Sequence, residues 1–401
     1  MDTKSDFLIV GAGVIGLAVA NELLERNSRL KVTVIDKEKQ VALHASGRNS
    51  GVIHAGFYYS PDSLKAQLTR DGNRLLKEFC EETSINYRTT GKVVVARDQS
   101  ELPALQNLLT RGIANGVAVE EINTQQLNEI EPWAKTYEKA LWSPSTAVAD
   151  PSEVVVKMAE KFQANGGILH LETELESLGI GTAETNKGRF TFGHLINASG
   201  LYADKVAKQL GFASKFTMLP FIGLYFYAPN LKGKLKSHIY PVPDARNPFL
   251  GVHLTTTIKG EVKVGPTAIP VVSREQYSPI SGFSFSEFLE IVSTYPSFIR
   301  SDHHDVMSLF KTEFPKLSRK YLVEQASSLV KGLEQKDFSK RGKPGIRAQL
   351  FDLEEKRLEM DFVIEGDASS THLLNAVSPA WTSSISFAKH VVDDLGKRKV
   401  L

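Results

Sequence analysis

Three glycines, Gly11, Gly13 and Gly16, stand in the spacing G-x-G-x-x-G, and an acid, Asp36, follows twenty residues after the last of them. These residue types at this spacing suit one task. The first glycine permits a tight turn, the second lets backbone approach a pyrophosphate, and the third packs a helix against a strand. The phosphate then sits on the helix N-terminus, and the acid accepts hydrogen bonds from a ribose diol. A second stretch, "HASGRNSGVIHAGFYY" at 44–59, is built mostly of small residues around a lone His54. Small residues let backbone border something bulky and flat.

The elements that must position these residues are legible nearby. "DFLIV" is a short apolar run, "GAGVIG" turns it, "VIGLAVANELLERN" carries apolar residues at helical spacing, and "KVTVID" is β-branched and alternating. Together they predict one βαβ unit with parallel strands. A helix is expected after the small-residue stretch, with Ser60 as cap, Pro61 in the first turn, and Leu64, Leu68, Leu75, Leu76 and Phe79 as its buried stripe. From Gly91 the character changes to a strand, an amphipathic helix over 99–115 and another strand. A strong helix over "PSEVVVKMAEKFQANGG" and a buried strand in "HLINASG" follow. Residues 216–339 are strand-rich first and helical later, and the chain closes with strands in "GIRAQLFD" and "THLLNAV" and a helix from about Thr382. The expected fold is α/β, a Rossmann-type nucleotide domain in three pieces (1–90, 146–215 and 340–401) interleaved with a substrate domain (91–145 and 216–339) built on an antiparallel sheet.

NAD and FAD share the glycine fingerprint, and three small-residue segments favour FAD. Residues 44–59 can border a wide ring system. The strand ending in Ala198, Ser199 and Gly200 can bring a second backbone against the cofactor. "NAVSPAWTSSISFAKHV" leads into a helix whose first amides can face a flavin carbonyl, where negative charge collects on reduction. The candidate cofactor contacts are Gly11, Gly13, Gly16, Asp36, Lys37, Arg48, Asn49, Ser50, Gly51, Ala198, Gly200, Pro379, Thr382 and Ser383.

Composition excludes several other classes. The chain has 401 residues, enough for two domains, and 48 Lys and Arg against 46 Asp and Glu leave a net charge of +2, so no electrostatic footprint for nucleic acid exists. Cys80 is the single cysteine, which rules out an intrachain disulfide and suits a reducing compartment. It falls on a helical apolar stripe and reads as core. No apolar run is long enough for a transmembrane helix, and the first strand begins too early to leave room for a signal peptide. A cytoplasmic protein is expected. "SDHHD" at 301–305 offers two His and two Asp, but adjacent histidines point apart on a helix or a strand, so a solvated loop or helix start is expected and no metal.

The motifs "GAGVIG", "RNSGVIHAGFYYSPDSLKAQL", "GNR", "NASGLYAD", "IYPVPD", "PFLGVHLT", "GIRAQ" and "SPAWTSS" together resemble the L-2-hydroxyglutarate dehydrogenases and oxidases. These are FAD enzymes of the glycine oxidase and D-amino acid oxidase type fold. The similarity runs from about Asp6 to Val392 and is thinnest between about 275 and 340. It implies noncovalent FAD, an L-2-hydroxy acid substrate and a 2-oxo acid product. The chain departs from the family pattern in "PFIGLYFY", where Ile222 and Leu224 replace an Arg and a Glu, and at Thr256, which replaces a basic residue. If Ile222 and Leu224 line the substrate pocket, the preferred substrate has a less polar distal group than 2-hydroxyglutarate, unless Lys343 or Arg246 supplies a second cation.

Oxidising a 2-hydroxy acid means removing the hydroxyl proton and passing a hydride from the α-carbon to flavin N5. The site needs a base, a cation for the α-carboxylate and a dry face. His253 in "GVHLT" is the first candidate for the base and His54 in "GVIHAG" the second, with an alternative role for His54 in fixing the flavin ring. Arg347 in "GIRAQ" is the candidate for the carboxylate, since a guanidinium fork matches it bidentately, with Tyr240 and Gln349 as neighbours. The rivals are an amine or amino-acid oxidase on the same fold and a flavin-carrying protein without catalysis. Oxygen, a quinone or a carrier protein as electron acceptor would each leave the flavin site looking the same.

Overall fold

The computed structural model describes residues 3–244, 247, 249–301, 303 and 305–401. The opening strand Thr3–Val10 lies between two parallel neighbours, Val32–Ile35 and Gly188–Asn197, with Ile9 beside Val34 on one side and Ile196 on the other. Ser370–Leu373 extends the sheet in parallel from Gly188–Asn197. Alternate residues of Thr3–Val10 serve opposite faces. Phe7 and Ile9 pack into the main core with the helices Val14–Arg26, Leu64–Glu82, Pro151–Ala164 and Ser384–Lys397, while Leu8 and Val10 pack with Ile35, Ala183 and Leu195. Cys80 sits in that main core with Leu76 and Phe79, and burial pushes its thiol up to about 12.

The helix expected to begin at Ser60 begins at Leu64. Ser63 is its cap, accepting a hydrogen bond from the Ala66 amide at 3.1 Å, because Ser60 is engaged instead with Asp62.

A second sheet joins Phe226–Ala228, Val262–Gly265, His253–Thr256, His238–Pro241, Lys92–Val95 and Lys139–Ser143 in that order. It is antiparallel except where His238–Pro241 runs parallel to Lys92–Val95. Period-two alternation divides its residues cleanly. Val93, Val95, Ile239, Leu254, Val262 and Val264 form an apolar core with Leu322, Val323 and Ala326 of the helix Arg319–Ser327. The register puts Lys92, His238, Tyr240, His253, Thr255 and Lys263 on the opposite face. A third, smaller sheet pairs Phe216–Gly223 antiparallel with Gly345–Asp352, placing Phe221 opposite Arg347 and Ile222 opposite Ile346.

The segment before the helix Phe285–Ile299 is tied down by one fully buried cation. The Arg274 guanidinium bonds to Asp204 at 2.6 and 3.0 Å, to Glu290 at 2.5 Å, and to the Leu201 carbonyl. Burial works against its charge, yet the two carboxylates outweigh burial and raise its pKa. Removing one partner of a buried pair leaves the other charge uncompensated, at a cost of about 3–5 kcal/mol. Arg274→Met should therefore lower the chemical denaturation midpoint by a corresponding amount, and an unchanged midpoint would show that Asp204 is neutralised otherwise.

Candidate active site

A cavity of about 590 Å³ runs from the glycine turn to the polar face of the second sheet. At the turn, Gly11 has φ +108°, and a Cβ there would lie 2.5 Å from the Ala198 carbonyl oxygen, so only glycine fits. A Cβ on Gly16 would lie 2.0 Å from the Gly11 carbonyl oxygen. Gly13 caps the helix Val14–Arg26 and faces the cavity, and the Val14 amide donates to Ser46 Oγ at 2.9 Å. Asp36 accepts from the Ala12 amide at 2.7 Å and the Glu38 amide at 2.9 Å, and burial raises its pKa against those two bonds.

At this end the sequence nominates Lys37 and Arg48 but not the Glu38, His44, Tyr202, Glu275 and Tyr277 that surround them. Lys37 pairs with Glu275 and lies 4.6 Å from the centre of the Tyr202 ring. His44 bonds Glu38 at 2.9 Å and the Tyr277 hydroxyl at 2.8 Å, and the Arg48 guanidinium packs 4.1 Å from the centre of the Tyr277 ring. Arg48 also donates to the Pro344 carbonyl at 3.2 Å, tying the small-residue loop to Gly345–Asp352. No local signal marks Glu275 or Tyr277, because their partners lie more than two hundred residues upstream. Glu38, His44 and Glu275 form a group with metal-ligand atom types, but Lys37 already neutralises Glu275. Two of the five residues in "SDHHD" lie outside the described residues, and Asp305 caps the helix Val306–Glu313.

At the far end, the His253 and Tyr240 rings stack with centroids 3.8 Å apart and planes at 16°. A carbonyl can only accept, so the 2.8 Å bond from His253 Nδ1 to the Gly251 oxygen fixes the proton on Nδ1 and leaves Nε2 as an acceptor. Burial, with Lys92 and Lys263 adding to it, pushes the imidazolium down to about 3, so the ring is neutral across the physiological range. His54 is half-buried on the cavity wall, and burial keeps its ring neutral too. Its amide donates to Thr382 Oγ1 at 3.1 Å and its carbonyl accepts from Asn73 at 3.1 Å. Arg347 faces the cavity, donating from Nε to Gln349 at 2.9 Å with its guanidinium 5.0 Å from the centre of the Phe249 ring. Burial lowers its pKa to about 10, and no carboxylate among the described residues pairs with it. Tyr59, whose hydroxyl bonds Ser378, stands beside it.

Gly11, Gly13, Asp36, Lys37, Arg48, Asn49, Ser50, Ala198, Gly200, Pro379 and Thr382 line this one cavity with His54, Tyr240, His253 and Arg347. Gly16, Gly51 and Ser383 do not. Gly16 packs under the turn. Gly51, at φ +74°, lets the loop pass the Ala149 carbonyl, and Ser383 is buried behind the wall with its hydroxyl on the Pro379 carbonyl. Ile222 and Leu224 also stand off the cavity, in an apolar cluster with Leu201, Met218 and Ile269, while Phe221, Gly223 and Tyr225 take the lining positions by strand alternation. The case against a dicarboxylate that rested on Ile222 and Leu224 therefore fails. Lys343 is exposed, and Arg246 lies outside the described residues.

A glycine-walled helix N-terminus, an acid at the end of the second strand and a long, mostly apolar cavity fit a dinucleotide carrying a wide ring system. The chain belongs to the FAD dependent oxidoreductase family, whose sequence model matches residues 6–393. It is 38% identical to an L-2-hydroxyglutarate dehydrogenase of Indibacter alkaliphilus, over 98% of each chain, and 37% identical to the mitochondrial L-2-hydroxyglutarate dehydrogenase of Caenorhabditis briggsae, over 98% of this chain and 93% of that one. Among solved structures, the L-alpha-glycerophosphate oxidase of Mycoplasma pneumoniae with FAD bound matches with a TM-score of 0.78 and 25% identity, over 98% of this chain and 95% of that one. FAD is thus the cofactor, and the chain is an oxidoreductase. No helix among the described residues is long and apolar enough to cross a membrane.

A side chain at Gly13 would intrude between the turn and Ser46, where its Cβ would lie 3.1 Å from Ser46 Oγ. Gly13→Val should fold but lose most of its flavin, read as the ratio of visible to ultraviolet absorbance in the purified protein. Full flavin content in that variant would remove the turn from the cofactor site.

Proposed function

We propose that this chain oxidises an L-2-hydroxy acid, L-2-hydroxyglutarate foremost, to the 2-oxo acid. The observation that carries the reading is a half-buried Arg347, with no carboxylate partner among the described residues, opening on the same cavity as a neutral His253 whose Nε2 is left to accept. Arg347 binds the α-carboxylate, with its charge undiminished at neutral pH because even the lowered pKa of about 10 lies well above it. His253 Nε2 takes the hydroxyl proton, while the bond to Gly251 holds the ring in place. Tyr240 orients His253 by stacking, and His54, anchored through Thr382 and Asn73, forms the neighbouring wall and is the alternative acceptor. Phe221, Phe249 and Tyr225 keep that end dry, which strengthens each of these interactions. Bound FAD supplies the two-electron acceptor. Gly11, Gly13, Asp36, Lys37, Arg48, Asn49, Ser50, Ala198, Gly200, Pro379 and Thr382 hold it. The lone buried thiol of Cys80 suits a cytoplasmic location.

Anaerobic mixing with a panel of L-2-hydroxy acids and amines tests the reading, with flavin bleaching as the readout. Bleaching by amines and not by hydroxy acids would overturn it. His253→Ala should slow reduction by about 10²- to 10⁴-fold with FAD retained, and an unchanged rate would move the role to His54. Arg347→Met removes a charge-assisted pair and should raise the substrate dissociation constant by about 10- to 100-fold. Ile222→Arg, which would put a cation into the apolar cluster of Leu201 and Ile269, should lower the melting temperature without improving 2-hydroxyglutarate binding.

A further inference from the structure

The polar face of the second sheet carries a cation that the reaction as described does not use. Lys92 is fully buried, and its Nζ has no hydrogen-bond partner among the described residues. The amine is held by rings alone: its Nζ lies 4.5 Å from the centroid of Phe57, 4.4 Å from that of Tyr58 and 4.8 Å from that of Tyr240. Tyr240 in turn stacks on His253 at 3.8 Å. Lys92 is therefore one ring away from the candidate proton acceptor, with no counter-charge between them.

Other groups on this face are already accounted for. His238, directly across from Lys92 in the sheet, accepts from the Thr256 amide and bonds Thr90, and burial keeps it neutral. Lys263 donates to the Ser50 carbonyl at 2.9 Å. His54 is neutral, and burial raises the pKa values of Tyr58 and Tyr240 well above their usual value, so both stay protonated. Elsewhere, Lys65 has the Met360 carbonyl as its acceptor at 2.6 Å.

We propose that Lys92 is a positioning residue for the reaction: its charge, felt through the Tyr240–His253 stack, governs whether His253 can take up the hydroxyl proton. This rests on the reading of His253 as the acceptor. In that step the substrate O–H bond breaks and an Nε2–H bond forms, so His253 becomes a cation while the α-hydrogen leaves with its electron pair to the two-electron acceptor. A charged Lys92 opposes a second cation on the same dry face; a neutral one does not. Burial pushes Lys92 down to about 7, so the amine changes state in the physiological range. Flavin reduction should consequently be slow below pH 7 and faster above it, by on the order of tenfold, as expected for two charges one ring apart at an intermediate dielectric.

The experiment is anaerobic stopped-flow reduction of the holoenzyme by L-2-hydroxyglutarate from pH 5.5 to 9, in wild type, Lys92→Met and His253→Ala. Lys92→Met should abolish the limb near pH 7 and run at the wild-type high-pH rate throughout, with substrate affinity unchanged. A limb that persists in Lys92→Met with normal flavin content overturns the proposal and points to Lys65, which burial also lowers to about 7. A His253→Ala enzyme that reduces at the wild-type rate overturns the underlying reading instead. A readout independent of turnover comes from stability. The unfolded chain keeps Lys92 at its ordinary 10.5 and so binds one more proton than the folded chain between about 7 and 10.5, making the burial penalty full below about 7 and absent above 10.5. Lys92→Met should raise the melting temperature most at pH 6, with the gain shrinking as pH rises. If the variant fails to fold, wild-type protein labelled with ¹³C at lysine Cε decides the matter. A resonance displaced by ring faces and titrating near pH 7 supports the proposal, and no such resonance between pH 6 and 8.5 overturns it.

Discussion

The site depends on one close approach between two backbones. Thr3–Val10 and Gly188–Asn197 run parallel, and where they end, Gly11 passes so near the Ala198 carbonyl that no side chain could stand between them. That contact sets the direction in which the chain leaves the sheet, and with it the start of the helix Val14–Arg26 and the line along which its first amides point. Asp36 reinforces the turn from the neighbouring strand by accepting from Ala12. A parallel sheet flanked by helices is the arrangement in which ligands gather at strand carboxyl ends, and here the crevice is opened by the absence of a methyl group.

The second sheet solves a different problem. One face is uniformly apolar and could belong to any sandwich or half-barrel. The other holds two lysines and two histidines where a packed core would hold valines. Each is paid for by a specific device: a carbonyl for Lys263, a hydroxyl and an amide for His238, a carbonyl for His253, and three aromatic faces for Lys92. Buried polar groups arranged so deliberately are the pattern expected of a surface that must face chemistry.

Much of this was legible in the residues. The glycine spacing, the small-residue loop and the strand Gly345–Asp352 all carry strong local signals, and the cavity brings together most of what they nominated. Alternation explains the failures. Ile222 and Leu224 bear on the substrate only if they line the pocket; their segment does line it, but a strand presents only every second side chain, and here Phe221 and Gly223 have that side. Gly51 and Ser383 adjoin lining residues but lie in turns, Gly51 against the Ala149 carbonyl and Ser383 with its hydroxyl on the Pro379 carbonyl. Lys92 and Arg274 gave no warning at all: a lysine at a strand start reads as a solvated edge, and an arginine in a loop reads as exposed. Only tertiary packing turned both into interior cations.

The hydrogen bonds of Thr382 reach back to His54 and Val52, more than three hundred residues earlier, and Arg48 reaches forward to Pro344. The wall of the cavity is thus stitched from segments about three hundred residues apart in the chain. The glycine turn fronts only part of the cavity; the 44–59 loop and the segment leading into Ser384–Lys397 complete its wall. Holding the flavin therefore takes distant segments together, and the glycine fingerprint by itself lacks the wall needed to keep what it grips.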